Sequence, residues 1–353
     1  MTRLLVFRAG PAAYDSIRKH GFDAARIGTL AGASGGAKWL ALSQLDRVLA
    51  SEILPRLVAP VHTIGTSIGA WRFACLAQQD PLGAIERFEE AYIEQTYSDK
   101  PDRLEITKKS REILDAIVRD ESLDFILAHP VLRMHIMTVR SRRLLAGEST
   151  PLLMAGLAAA AGLNAVSRRS LAAFFERALF YDQRDIPPFF NIGDFPMQRV
   201  PLSRDNLRPA ILATGSIPLV LQGVTDIPGA VPGTYRDGGV IDYHLDLPHS
   251  EADRLTLYLH FYDFLKPGWF DKRLSWRRAS AANTANTLLV SPSVDFAAAL
   301  PNGKIPDRHD FVRYSHGERV AAWRATVDRC RALADEFADV LATDKLAERL
   351  QPL

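Results

Sequence analysis

Two serines and one aspartate carry the side chains that could do chemistry in this chain. Gly32-Ala33-Ser34-Gly35-Gly36 and Gly65-Thr66-Ser67-Ile68-Gly69 both follow the G-x-S-x-G spacing. The second comes directly after the apolar run Val61-His62-Thr63-Ile64 and before a helical stretch, Ala70 to Ala77. Glycines two residues either side of a serine let a strand turn abruptly into a helix and leave the hydroxyl exposed at the turn. The helix start beside it favours developing negative charge. Far downstream, Tyr235-Arg236-Asp237-Gly238-Gly239 sets a carboxylate beside two glycines. A serine and an aspartate together suggest acyl hydrolysis.

The two serine turns differ in what surrounds them. The first continues as Ser34-Gly35-Gly36-Ala37-Lys38, a run of backbone amides followed by a cation at a helix start, which suits an oxyanion cradle. The second is followed by Trp71, Phe73 and Ala74, which suits a rigidly packed nucleophile. Adjacent parallel strands would bring both loops to one carboxyl edge of a sheet, with Gly35 and Gly36 donating and Ser67 attacking.

The elements that must position these residues follow a βα rhythm. Leu4 to Phe7, Ile27 to Ala31 and Val61 to Ile64 read as strands, each followed by a helix, so a parallel sheet covered on both faces is expected. From Pro81 to Phe180 the pattern turns almost wholly helical, with Arg111 to Ala128 as one helix and Met134 to Val139 as a strand within it. The remainder returns to mixed α/β: Leu255 to Phe261 alternates like a strand, and Glu318 to Arg349 is helical. The predicted fold is a three-layer α/β/α sandwich with a mostly parallel central sheet. One catalytic domain over 1–353 is expected, with a mainly helical insertion at about 81–180 whose Leu152–Leu163 stretch and Phe174-Phe175 line an acyl pocket or lid.

Composition narrows the function classes. The chain has 353 residues, 47% of them hydrophobic, enough to bury a large core. Its 43 basic and 41 acidic residues nearly balance, so no nucleic-acid footprint is expected. Cys75 and Cys330 are the only cysteines, which fits a reducing compartment. The N-terminal apolar run is too short for a signal-peptide core, and no stretch reaches the length of a spanning helix. A cytoplasmic location is expected. The basic and apolar segments around Arg140–Arg143, Leu152–Leu163 and Arg168-Arg169 fit a buried helical hairpin with solvated arginines, the commoner case, and leave peripheral membrane contact open as the alternative.

At this point the motifs resemble the patatin-like phospholipases, a family of lipid acyl hydrolases. That family's glycine-rich oxyanion loop, G-T-S-x-G-A elbow and distant D-G-[GA] are matched in order by Ser34 to Trp39, Gly65 to Ala70 and Asp237 to Gly239. The departures are Ser34 for the loop's first glycine, Trp39 for its last, Asp242 where many members have asparagine, and an extra strand unit, Leu4 to Gly21. The resemblance implies a Ser67–Asp237 dyad without histidine, with the amides of Gly35, Gly36 and Ala37 as oxyanion donors. Lys38 and Gly238 fall on the substrate side. A phospholipid or other acyl ester would be the substrate, and neither metal nor organic cofactor would be needed.

Three other arrangements stay open on the residues themselves. Arg8-Ala9-Gly10-Pro11 as the oxyanion loop would make Ser34 the nucleophile. An α/β-hydrolase triad would recruit a late histidine, His309 or His316. A degenerate scaffold would bind lipid without turning it over. Asp242-Tyr243-His244-Leu245-Asp246 could present metal ligands on one strand face, though a strand end with ordinary hydrogen bonds is the simpler reading.

Overall fold

The computed structural model describes residues 3–249 and 253–353. Eleven strands form one sheet: β1 (Leu5–Ala9), β2 (Ile27–Gly32), β3 (Val61–Thr66), β4 (Leu132–Ser141), β5 (Phe175–Tyr181), β6 (Met197–Pro201), β7 (Val224–Thr225), β8 (Thr234–Asp237), β9 (Leu255–Leu259), β10 (Thr287–Pro292) and β11 (Leu350–Pro352). Their order is β11-β1-β10-β9-β2-β3-β4-β5-β6, with β8 paired to β4 and β7 to β8. From β10 through β9, β2 and β3 to β4 every pairing is parallel. Every residue of β2, β3, β9 and β10 is buried, as expected of central parallel strands covered on both faces. The architecture is the predicted α/β/α sandwich.

Helices Ser43–Val48, Ile68–Leu76, Pro81–Ile93, Leu207–Thr214 and Arg331–Ala342 pack on one another and on the strands. Pro11–His20 and Leu346–Arg349 cover the β11–β1–β10 edge. No helix among the described residues is long and apolar enough to cross a membrane.

The structure differs from the sequence reading in four places. The stretch 81–180 contributes two full strands, β4 and β5, to the sheet, so it is less an insertion than a part of the core. Arg111–Ala128 is not one helix but the end of Arg103–Ile117 followed by Asp120–Leu127. Val118 and Arg119 leave helical geometry between them, and Asp120 and Glu121 open the new helix, where acidic side chains suit the dipole. Phe174 and Phe175 are buried in a core cluster with Leu153, Leu171 and Ile241 rather than lining a pocket. Finally, β10 and β9 stand between β1 and β2, so the Arg8–Pro11 turn does not adjoin Ser34. Arg8 instead pairs with Asp263 at 2.6 Å, and the shifted oxyanion arrangement has no support.

Candidate functional site

Strand register explains how distant residues meet. β4 is ten residues long and outruns β3. Met137 lies opposite Thr66, the last residue of β3. The next residue, Thr138, lies opposite Asp237, the last residue of β8. β8 therefore takes up β4 where β3 ends and delivers Asp237 beside Ser67.

Ser67 is held at φ 51°, ψ −130° between β3 and helix Ile68–Leu76. A side-chain-bearing residue in that region is strained and persists only when its surroundings enforce it. Here they do. A Cβ on Gly69 would lie 2.0 Å from the Gly32 carbonyl oxygen, so the first turn of the helix rests directly on the end of β2. The Ser67 amide donates to Thr214 Oγ1 at 2.9 Å, and the Thr214 hydroxyl donates on to the Met137 carbonyl. Two residues later, the Ser216 carbonyl accepts the Asp237 amide at 3.0 Å. One segment thus anchors both Ser67 and Asp237.

Asp237 is buried, 6% exposed. Burial pushes its pKa up to about 6, while the Ser67 hydroxyl, the Gly239 amide, Lys272 and the Ser34 hydroxyl oppose the rise by stabilising the anion. The Gly239 amide donates to Oδ1 at 2.7 Å. A carboxylate with raised pKa facing a serine hydroxyl can take up that hydroxyl's proton near neutral pH.

Because β2 and β3 are parallel, with Gly32 opposite Gly65, the Gly35–Ala37 turn stands beside Ser67. Gly36 has φ 55°, a conformation glycine adopts without strain. The Gly35 amide has no acceptor among the described residues, as expected of donors at a helix start. Ser34 belongs to the same site: its Oγ donates to Thr66 Oγ1 at 2.9 Å, and on rotation its one proton could serve Asp237 instead. The two G-x-S-x-G turns therefore face a single carboxylate.

Lys38 is half-buried, its Nζ 5.9 Å from the Phe261 ring centroid. Burial lowers its pKa, partly offset by Asp307. Gly238 packs on β4, where a Cβ would stand 2.2 Å from the Met137 carbonyl oxygen. Sequence reasoning missed Thr214 as an anchor. It also missed Lys272, which lies in a region without a motif. Lys272 is an exposed residue whose ammonium sits 3.8 Å from the Tyr243 ring centroid. Burial of that end, with Lys38 and Arg308 nearby, lowers its pKa to about 7.

No histidine bonds to Ser67 or Asp237 among the described residues. His62 Nδ1 lies 3.0 Å from His135 Nε2, and burial lowers its pKa to about 4. His244 Nδ1 accepts from the Lys266 amide at 2.9 Å. His316 Nδ1 lies 3.1 Å from Arg319. Asp242 is gripped by Arg177 Nε at 2.7 Å and Nη2 at 2.9 Å. Asp246 accepts from Ser280 and Asn283, so Asp242 and Asp246 do not converge. Among the described residues no cluster of three or more His, Cys, Asp or Glu is placed to hold a metal ion.

No protein-family model and no curated protein matches this chain. Among solved structures, the crystal structure of VipD from Legionella pneumophila is similar over 88% of this chain and 67% of that chain, with 11% sequence identity and a TM-score of 0.36.

Proposed function

We propose that this chain is a serine acyl hydrolase of the patatin-like type, cleaving carboxylic esters of phospholipids or other acyl lipids with a Ser67–Asp237 dyad. The observation that carries the reading is Asp237, brought by β8 to the strained Ser67 turn with its pKa raised to about 6 and no histidine bonded to either residue among those described. Asp237 accepts the Ser67 proton as Oγ attacks the ester carbonyl. The amides of Gly35, Gly36 and Ala37 hold the tetrahedral oxyanion. Collapse expels the alcohol, which takes the proton from Asp237 and leaves an acyl group on Ser67. Water then attacks that ester, giving its proton to Asp237, and the carboxylic acid departs as the proton returns to Ser67 Oγ. Lys38 and Lys272 add positive field at the mouth of the site for an anionic head group. No metal or organic cofactor takes part in this scheme.

A fluorophosphonate probe with mapping of the modified peptide tests the scheme. An adduct on Ser67, abolished in Asp237→Asn, is expected. An adduct on Ser34 moves the nucleophile to the first serine turn, which the shared carboxylate makes the competing reading. Labelling of neither serine refutes the hydrolase reading.

A further inference from the structure

Helix Thr150–Val166 is held to the protein by one narrow stripe. Leu153, Gly156, Ala160 and Asn164 are its buried residues, spaced three and four apart along one face. Leu157 is partly buried against the same core, every other residue of the helix is exposed, and from Ser149 to Ser167 there is no charged side chain. Leu152 is 48% exposed, Met154 58%, Leu163 49% and Val166 87%. Isolated exposed apolar residues are ordinary, but a contiguous apolar helix face with no charge marks a contact surface.

The surroundings indicate what that surface meets. Arg277 Nη2 donates to the Asn164 carbonyl at 2.9 Å, which places the neighbouring Trp276, 66% exposed, beside the helix end. Arg169 and Arg278, both exposed, have no carboxylate partner among the described residues. The nearby acids are already paired: Asp194 with Arg177 and Arg168, and Glu148 with Arg236 and Arg103. An apolar face, an exposed tryptophan and unneutralised arginines together complement the acyl boundary and anionic head groups of a lipid surface. We propose that this helix and its arginine rim dock the protein on an anionic membrane surface.

The docking face is also tied to the site. Asn164 Nδ2 donates to Asp271 Oδ1 at 2.8 Å, and Asp271 precedes Lys272. Arg168 Nη2 donates to the Ile241 carbonyl at 2.9 Å, a few residues past Asp237.

Co-sedimentation of the full chain carrying Ser67→Ala with phosphatidylcholine vesicles, with and without phosphatidylserine, reads docking without turnover. This keeps the failure of docking separate from the failure of the hydrolase reading. Binding should require phosphatidylserine and fall with salt as the Debye length shrinks from about 10 Å at 0.1 M to about 3 Å at 1 M. Met154→Glu with Leu163→Glu should weaken it at least about tenfold, each side chain losing its apolar burial. Both residues are exposed, so an unchanged thermal melt is expected. Arg169→Glu with Arg278→Glu should abolish the phosphatidylserine dependence. Absence of binding by the parent chain, or equal binding by the glutamate variants, overturns the proposal. So does a parent dimer that the glutamate variants split without change in vesicle binding, because the face would then be covered by a second copy.

Discussion

Thr214 and Ser216 hold the two halves of the site from one short segment: the Thr214 hydroxyl takes the Ser67 amide at 2.9 Å, and the Ser216 carbonyl takes the Asp237 amide at 3.0 Å. Neither has to touch substrate to matter. A fixed serine and a fixed carboxylate differ from a mobile pair mainly in how often they are aligned for proton transfer.

Replacing Thr214 by valine keeps the shape and removes the hydroxyl. The buried Ser67 amide and Met137 carbonyl both lose a partner, at a cost of about 1–3 kcal/mol each. A lower melting temperature and a fall in kcat with little change in KM are expected, and Thr214→Ser should restore both. An unchanged kcat would show that the anchor is dispensable.

Hydrolysis should rise with pH through about 6, because Asp237 accepts a proton only when ionised. Lys272 stabilises that anion. Lys272→Met should therefore raise the Asp237 pKa and move the acid limb of the kcat/KM profile to higher pH. A limb that stays in place, or moves down, argues against Asp237 as the base.

The same carboxyl makes a stability prediction of opposite sign to an ordinary salt-bridged aspartate. Its pKa rises from 3.8 unfolded to about 6 folded. Between those values the folded state holds more protons, so stability falls as pH increases and the loss is complete above about 6. Two units correspond to about 3 kcal/mol as an upper bound. Asp237→Asn keeps an acceptor for the Gly239 amide and removes the buried charge. It should raise the melting temperature at pH 8 while leaving it nearly unchanged at pH 4; equal effects at both values would locate the stabilisation elsewhere.

Gly69→Ala tests the packing that makes the turn. The added methyl would meet the Gly32 carbonyl at 2.0 Å, and neither backbone can yield without moving the end of β2 away from the helix. Loss of several kcal/mol, or failure to accumulate folded protein, is expected from overpacking at this contact. Urea unfolding of the variant beside Gly162→Ala, where nothing stands within 4 Å, gives the comparison.

Local physics made part of this protein legible from its sequence. Val61 to Leu76 announces itself as strand, turn and helix because the apolar run, the glycines and the helix pattern are neighbours in the chain, and the structure has β3, a strained Ser67 and helix Ile68–Leu76 there. Two glycine-rich serine turns on adjacent βα units also imply that Ser34–Ala37 and Ser67 share an edge, since parallel neighbours place their carboxyl ends together.

Tertiary structure alone decided the rest. Nothing local tells β4 to outrun β3, yet that difference in length lets β8 place Asp237. β10 and β9 come between β1 and β2 although they lie far downstream in sequence, because strand pairing is chosen by complementary surfaces brought together on folding and not by chain order. Lys272 carries no motif, and its lowered pKa comes from burial on folding and from the Lys38 and Arg308 charges that the tertiary structure brings near it. Residue type and spacing determined which groups could react. Their pKa values and their partners were settled by burial and long-range contact, which no short stretch of sequence contains.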